Sequence, residues 1–160
     1  MTEFHSLLDP LTGLLSRFAL QGHWASLKGA QVAWLDLDGF AHVNLDHGHA
    51  AGDQLLQGLA RRLKACVRED EKLYRTVGDK FMVVFPRDSA SDVLKLRVRE
   101  LRALFDEPFD FPAGPDGVYF ATAGIVTTSI ADESFEVFLE KMRVLMRQNK
   151  ARGKHQVLFS

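Results

Sequence analysis

Three features common in other protein classes are missing from this chain. Its single cysteine, Cys66, excludes an internal disulfide and a zinc site built from cysteines, and favours a reducing compartment. No stretch approaches the roughly 20 apolar residues of a membrane helix, and the polar start, residues 1–6, lacks the apolar run of a signal peptide. The net charge of −1 offers no positive excess for nucleic acid or an anionic membrane. We therefore expect a cytoplasmic domain, either free or part of a membrane-anchored protein.

The composition suits one packed domain. Hydrophobic residues make up 46% of the chain and charged residues 26%, which is typical of a globular fold and excludes a disordered segment. The length of 160 residues is that of one ordinary domain. We therefore predict a single domain over residues 1–160, excised from a larger multidomain protein.

Hydrophobic periodicity predicts alternating helices and strands. The predicted helices cover residues 16–27, 53–67, 91–106 and 135–152. The predicted strands cover residues 32–38, 73–76, 81–85, 118–129 and 155–159. This order indicates an α+β fold, in which helices cover a sheet that contains antiparallel strands.

Turn and cap signals add detail to this pattern. Only residues 77–80 separate two of the strands, which is typical of a tight hairpin. Ser89 or Ser91 is expected to cap the third helix, and residues 108–117, rich in proline and glycine, are expected to form a loop. Gly124 is expected to interrupt the fourth strand.

Three carboxylates stand at turns where strands end. Asp36 and Asp38 close a buried strand, and Asp79 follows a glycine at the tip of the hairpin. Carboxylates that meet from separate segments are what a magnesium–triphosphate site needs. We interpret Asp36 and Asp38 as lying on opposite faces of the strand, so that only one shares a site with Asp79. Alternatively, these residues only end a strand and fill a turn.

Five blocks of sequence carry a family resemblance, and they occur in one order along nearly the whole chain. They are DPLTGLLSR at 9–17, DLDGFAHVN at 36–44, GHAAGD at 48–53, VGDKF at 77–81 and KARGKH at 150–155. These blocks are similar to the motifs of the GGDEF domain family, the diguanylate cyclase module, and VGDKF stands where the family has its signature.

The resemblance implies both a fold and a reaction. The family has a palm-like fold related to nucleotidyl cyclases, with a central five-stranded sheet flanked by helices. Two such domains face each other, each holding one GTP, and join the two into cyclic di-GMP. Two divalent ions, Mg²⁺ or Mn²⁺, polarise the phosphates and help to generate the attacking alkoxide.

The resemblance also assigns roles to individual residues. The implied metal ligands are Asp36, the backbone carbonyl of Leu37, and Asp79. The implied GTP-binding residues are Asn44 and Asp53 at the guanine, Phe40 near the phosphates, Gly78 where the backbone approaches the nucleotide, and Lys150 and Lys154 at the triphosphate.

Departures from the motifs make normal catalysis doubtful. Lys80 replaces the second acid of the signature, and Val77 replaces its first glycine. An ammonium group cannot coordinate magnesium, and we expect it either to pair with Asp36 or Asp79 or to extend away. No catalytic role is therefore assigned to the signature positions Val77, Gly78, Asp79, Lys80 and Phe81.

Four further departures lie outside the signature. Ala41 replaces a lysine that helps to bind phosphate, and Arg143 and Arg147 replace an acid and an aromatic residue in the last helix. Arg68 and Glu71 stand where the family has its R-x-x-D inhibitory site for cyclic di-GMP, with glutamate in place of aspartate. The other interpretation of this pair is an ordinary charged helix end.

Three functions remain open at this stage. The first is a degenerate, regulatory GGDEF domain that binds GTP or dimerises and controls an attached EAL phosphodiesterase or sensory domain. The second is a working diguanylate cyclase, and the third is an interaction module without nucleotide. The expected ligands are GTP and cyclic di-GMP, and the expected partner is a second copy or an attached domain.

Overall fold

The computed structural model describes residues 6–160, so the first five residues of the polar start and of the predicted domain lie outside the described part. The helices are Arg17–His23 (α1), Phe40–His47 (α2), His49–Cys66 (α3), Ser91–Ala103 (α4) and Phe135–Ala151 (α5). The strands are Gln31–Leu37 (β1), Lys72–Arg75 (β2), Lys80–Val84 (β3), Phe109–Asp110 (β4), Val118–Tyr119 (β5), Ala123–Ser129 (β6) and Val157–Phe159 (β7). No helix in residues 6–160 is long and apolar enough to cross a membrane.

A five-stranded sheet with the order β2-β3-β1-β6-β7 forms the centre of the fold. All neighbouring strands are antiparallel except β7, which runs parallel to β6. The expected α+β fold and the β2–β3 hairpin are therefore confirmed. The central strand β1 is apolar on both faces, as a strand covered on both sides must be.

Helices cover both faces of the sheet and create two cores. Ala33, Leu35 and Leu37 of β1 face a core shared with α2, α3 and α4. Val32 and Trp34 face a second core that includes residues of α1 and α5. The functional elements described below lie at the end of β1, between these two helical layers.

The helix α2 was missed because its sequence is too polar to show an apolar face. Only Val43 of this helix is buried. The next helix, α3, begins at His49 and not at Asp53 as predicted. Gly48, with φ of +88°, separates α2 from α3 in a conformation that favours glycine.

Other local predictions were wrong as well. The predicted fourth strand breaks at residues 120–122 and continues through Gly124, and its first part pairs with β4 in a separate small sheet. The predicted loop therefore contains the strand β4. No side chain caps α4, since Ala90 precedes it and Ser89 donates to the Pro86 carbonyl instead.

Candidate functional site

The hairpin register places a lysine beside the first carboxylate. In the antiparallel pair of β1 and β3, Asp36 lies directly opposite Lys80. The Lys80 ammonium lies 3.3 Å from Asp79 Oδ1 and 3.6 Å from Asp36 Oδ2. Lys80 therefore adopts the paired arrangement and bridges the two carboxylates.

A second ammonium reaches the same carboxylates from the end of α5. Lys150 Nζ donates to the Leu37 carbonyl at 2.9 Å and lies 3.2 Å from Asp36 Oδ1 and 3.4 Å from Asp38 Oδ1. The resemblance implies that Lys150 neutralises a triphosphate. In the structure it contacts two of the groups implied as metal ligands.

The interpretation that Asp36 and Asp38 lie on opposite faces was wrong. Residues two positions apart in a strand share a face, and the Lys150 ammonium contacts both carboxylates. Asp38 Oδ2 also accepts hydrogen bonds from the Thr122 hydroxyl and the His155 amide, both at 2.8 Å. Asp38 therefore ties the end of β1 to the segments around β6 and β7.

The pKa of Asp36 reflects this crowded setting. Burial, the largest cause, and the nearby Asp79 carboxylate raise the pKa of Asp36 from 3.8 to about 6, against the lowering by Lys150 and Lys80. The neutral form is therefore stabilised in the folded state relative to the unfolded chain. The associated stability is fully present below pH 4 and is lost as the pH rises through about 6.

An Asp36→Asn variant should expose this pH dependence. Because asparagine cannot ionise, the stability of the wild type relative to the variant should fall by about 2 kcal/mol between pH 4 and pH 7.5, since the pKa of Asp36 is about 6 in the folded state and 3.8 in the unfolded chain. Urea unfolding of both proteins at the two pH values measures the difference. Asp46→Asn, at an exposed position of α2, is the control. A constant difference between wild type and Asp36→Asn would contradict the expected shift.

A separate cluster of residues lies where α2 meets α3, on the other side of β1. Asn44 Oδ1 is buried and has no hydrogen-bond partner in the described part of the chain. A Cβ on Gly52 would lie 1.9 Å from Asn44 Oδ1 and 3.1 Å from the Phe40 ring, so glycine creates the room for this side chain. Asp53 follows at an exposed position. An amide oxygen and a carboxylate both accept hydrogen bonds, which matches the N–H donors of guanine.

The remaining signature and phosphate residues lie in different surroundings. Gly78 has φ of +54° in the hairpin turn, where its carbonyl accepts from Arg75 Nε. Phe81 is fully buried in the core, whereas Val77 is 45% exposed. Lys154 is exposed after the end of α5, so its side chain is not part of the carboxylate cluster.

The candidate inhibitory pair is engaged within the domain. Both oxygens of Glu71 accept from the buried guanidinium of Arg97, at 2.8 and 2.6 Å, and Glu71 Oε1 also accepts from the Arg68 amide. The Arg68 side chain lies 3.6 Å from Glu100. Sequence reasoning missed Arg97, because a charged residue in an amphipathic helix gives no signal of burial.

The carboxylate cluster in this arrangement does not fit two divalent ions. Within residues 6–160, no group of three or more histidine, cysteine, aspartate or glutamate side chains could hold a metal ion. The ammonium groups of Lys80 and Lys150 already contact Asp36, Asp79 and the Leu37 carbonyl. Positive charge therefore lies on the groups that the resemblance implies as metal ligands.

Comparison with known proteins gives concordant matches. The family profile described as "Diguanylate cyclase, GGDEF domain" matches residues 6–156. The chain is 33% identical over 159 residues to the diguanylate cyclase DgcN of Escherichia coli, covering 94% of this chain and 38% of that protein. It is 30% identical over 161 residues to the cyclic di-GMP phosphodiesterase NbdA of Pseudomonas aeruginosa, covering 94% of this chain and 20% of NbdA.

A solved structure shows the same fold. The GGDEF domain of YfiN from Pseudomonas aeruginosa aligns with a TM-score of 0.77 and 25% identity, over 95% of this chain and 93% of that one. The chain thus spans well under half the length of the two relatives named above, but nearly all of an isolated domain of this kind.

Proposed function

The chain belongs to the GGDEF domain family of cyclic di-GMP signalling, and from this premise we propose that it is a regulatory domain that binds a guanine nucleotide without making cyclic di-GMP. One observation carries the loss of catalysis, namely the Lys80 ammonium between the Asp36 and Asp79 carboxylates. The proposal includes residence in the cytoplasm as one domain of a longer protein.

Charge explains why this arrangement opposes catalysis. Diguanylate cyclases work with Mg²⁺ or Mn²⁺, and divalent ions offset the charge that develops on transferred phosphates. Two unit charges about 4 Å apart interact by about 4 kcal/mol at an effective dielectric constant of 20, so an ammonium here strongly opposes a divalent cation. Neither lysine side chain can replace the metal as a Lewis acid, because an ammonium only donates hydrogen bonds.

The residues where α2 meets α3 support nucleotide binding. Asn44 Oδ1 is a buried acceptor without a partner among the described residues, and such groups are rare unless a ligand or water satisfies them. The Asn44 side chain packs directly against Gly52, so only glycine at this position leaves Asn44 in place. We propose that Asn44 and Asp53 bind the guanine edge, that Phe40 lies beside the nucleotide, and that Lys154 contributes to holding the phosphates.

The Arg68–Glu71 position is proposed to be inactive as an inhibitory site. Both oxygens of Glu71 accept from Arg97, and the Glu71 side chain is only 3% exposed, so an external ligand has little access to this carboxylate. Opening this position would break the two hydrogen bonds between the buried Arg97 guanidinium and Glu71, at a large cost in stability.

The proposed partners are attached domains or a second copy of the chain. The relative NbdA is named a cyclic di-GMP phosphodiesterase, and this chain matches only a fifth of it. This match supports a role in which nucleotide occupancy of the domain controls an attached EAL phosphodiesterase or relays a signal from a sensory domain.

Incubation of the purified domain with GTP and Mg²⁺ or Mn²⁺ tests the lost activity, and chromatography measures the product. We expect no cyclic di-GMP above the level of a no-protein control.

Isothermal titration with GTP should show binding in the wild type. The affinity should fall at least tenfold in Asn44→Ala, because the buried acceptor is removed. Gly52→Ala should weaken binding similarly, since its Cβ would displace the Asn44 side chain.

Each alternative function has its own outcome in these assays. Robust formation of cyclic di-GMP would contradict the proposal and favour a working cyclase. Absence of heat with GTP would favour an interaction module without nucleotide. Titration with cyclic di-GMP should give no heat. Gly58→Ala is the control for a glycine replacement in α3, because the nearest atom to its new Cβ would lie 3.4 Å away, at an ordinary contact distance.

A further inference from the structure

A second cavity, of about 250 Å³, lies on the α5 side of the sheet, next to the carboxylate cluster. Its walls are formed by Arg17, Trp34, Val77, Lys80, Leu139 and Arg143. These residues come from α1, β1, the β2–β3 hairpin and α5. The lining contains three cationic side chains and no carboxylate.

Three departures from the family motifs meet in this cavity. Val77 and Lys80 alter the signature, and Arg143 stands where the motif has an acid. Val77 and Lys80 belong to the β2–β3 hairpin and Arg143 to α5, and the fold places all three around one cavity. Relative to the motifs, this space is lined by cations in place of two acids and by valine in place of a glycine.

The indole of Trp34 supplies a buried donor without a partner. Trp34 is only 3% exposed, and its Nε1 has no hydrogen-bond partner among residues 6–160. The other tryptophan, Trp24, donates from its indole to the Glu133 carbonyl at 2.9 Å. Trp34 is also one of the residues that line the cavity, so the signal of its indole N–H should respond to a molecule bound there.

Two of the three cations are poorly compensated. Arg17 forms no ion pair within the described residues, and its guanidinium lies 5.8 Å from the centroid of the Phe135 ring. Among residues 6–160, Arg143 pairs only with Glu140, at 3.0 Å, and both side chains are more than half exposed, which makes the pair weak. Lys80, by contrast, is neutralised by Asp36 and Asp79.

We propose that this cavity binds the phosphate group of a small molecule. A phosphate monoester carries about −1.5 to −2 charges at pH 7. It therefore balances the charge of two guanidinium groups better than a ligand with a single carboxylate would. Its oxygens accept hydrogen bonds from guanidinium forks. The apolar side chains of Val77 and Leu139 offer a surface for the carbon atoms of the ligand.

The cavity is distinct from the proposed guanine-binding residues, Asn44 and Asp53. Asn44 lies on α2, on the opposite side of the sheet, and the cavity is smaller than the roughly 300–1,000 Å³ of pockets that hold drug-sized ligands. It therefore suits a compact phosphorylated molecule or inorganic phosphate and excludes a whole cyclic dinucleotide. The proposal stands whether or not the domain binds GTP.

Nuclear magnetic resonance of the two indole N–H groups tests this site. We expect inorganic phosphate, added at constant ionic strength and pH 7, to shift the Trp34 signal to a saturating value and to leave Trp24 in place. Arg17→Ala and Arg143→Ala should each weaken binding about tenfold, as expected for a lost charge-assisted hydrogen bond. Arg61→Ala, which removes an exposed arginine on α3, should bind as the wild type does.

Further probes identify the ligand and separate the sites. Tighter binding of O-phosphoserine than of inorganic phosphate would support a phosphorylated metabolite, and equal binding would support phosphate itself. Asn44→Ala should bind phosphate normally. An unmoved Trp34 signal, acetate binding as tightly as phosphate, or equal weakening by Arg61→Ala and Arg143→Ala would overturn the proposal.

Discussion

Replacing Arg97 by methionine is expected to lower the free energy of unfolding by about 3–5 kcal/mol, because it leaves a buried carboxylate without its partner. The side chains of Arg97 and Glu71 are only 2% and 3% exposed, and two hydrogen bonds join them. The hydrogen bonds to Glu71 raise the pKa of the Arg97 guanidinium, so this group stays charged. Arg97 also donates to the Cys66 carbonyl and thereby joins α4 to the end of α3.

Urea unfolding of matched variants measures this cost. Arg99→Met changes an exposed arginine of the same helix and should alter stability by no more than about 0.5 kcal/mol. The double variant Arg97→Met with Glu71→Met should recover much of the loss, since an apolar pair often replaces a buried ion pair without penalty. A similar cost for Arg97→Met and Arg99→Met would show that the pair contributes nothing specific.

Replacing Lys80 by glutamate is expected to raise the affinity for Mn²⁺ by about 100-fold, equal to about 2.8 kcal/mol. The substitution removes an ammonium that contacts Asp36 and Asp79 and adds a carboxylate at the same place. The Lys80 side chain is 29% exposed, so solvent screens part of the charge effect, and the expected gain is smaller than an unscreened contact would give.

Electron paramagnetic resonance of free Mn²⁺ measures the affinity. Lys80→Met should give an intermediate value, because it removes repulsion without adding a ligand. Lys72→Glu, at an exposed position of the same hairpin, makes the same change in net charge and should leave affinity near that of the wild type. Tight Mn²⁺ binding by the wild type would contradict our account of Lys80. Formation of cyclic di-GMP by Lys80→Glu would show that the rest of the site is intact.

Local sequence patterns predicted most of the fold and failed where burial was not local. The apolar run of β1 and the spacing of leucines in α3 were sufficient for those elements, because their own side chains meet the core. The helix α2 has one buried residue, so its periodicity carried no signal. The strand β4 is only two residues long and depends on pairing with β5, so its own sequence gives no strand pattern.

The sequence by itself determined the family and the lysine at the signature acid, and the resemblance to the family implied the five-stranded sheet. These follow from the order and spacing of short motifs, which the chain carries whatever its packing. Only the tertiary structure decided that the ammonium groups of Lys80 and Lys150 lie on the carboxylates, that Arg97 engages Glu71, and that Trp34 meets Arg17 and Arg143. The reason is physical: Lys150 and the Leu37 carbonyl are 113 residues apart, and strand register and helix packing bring them into contact.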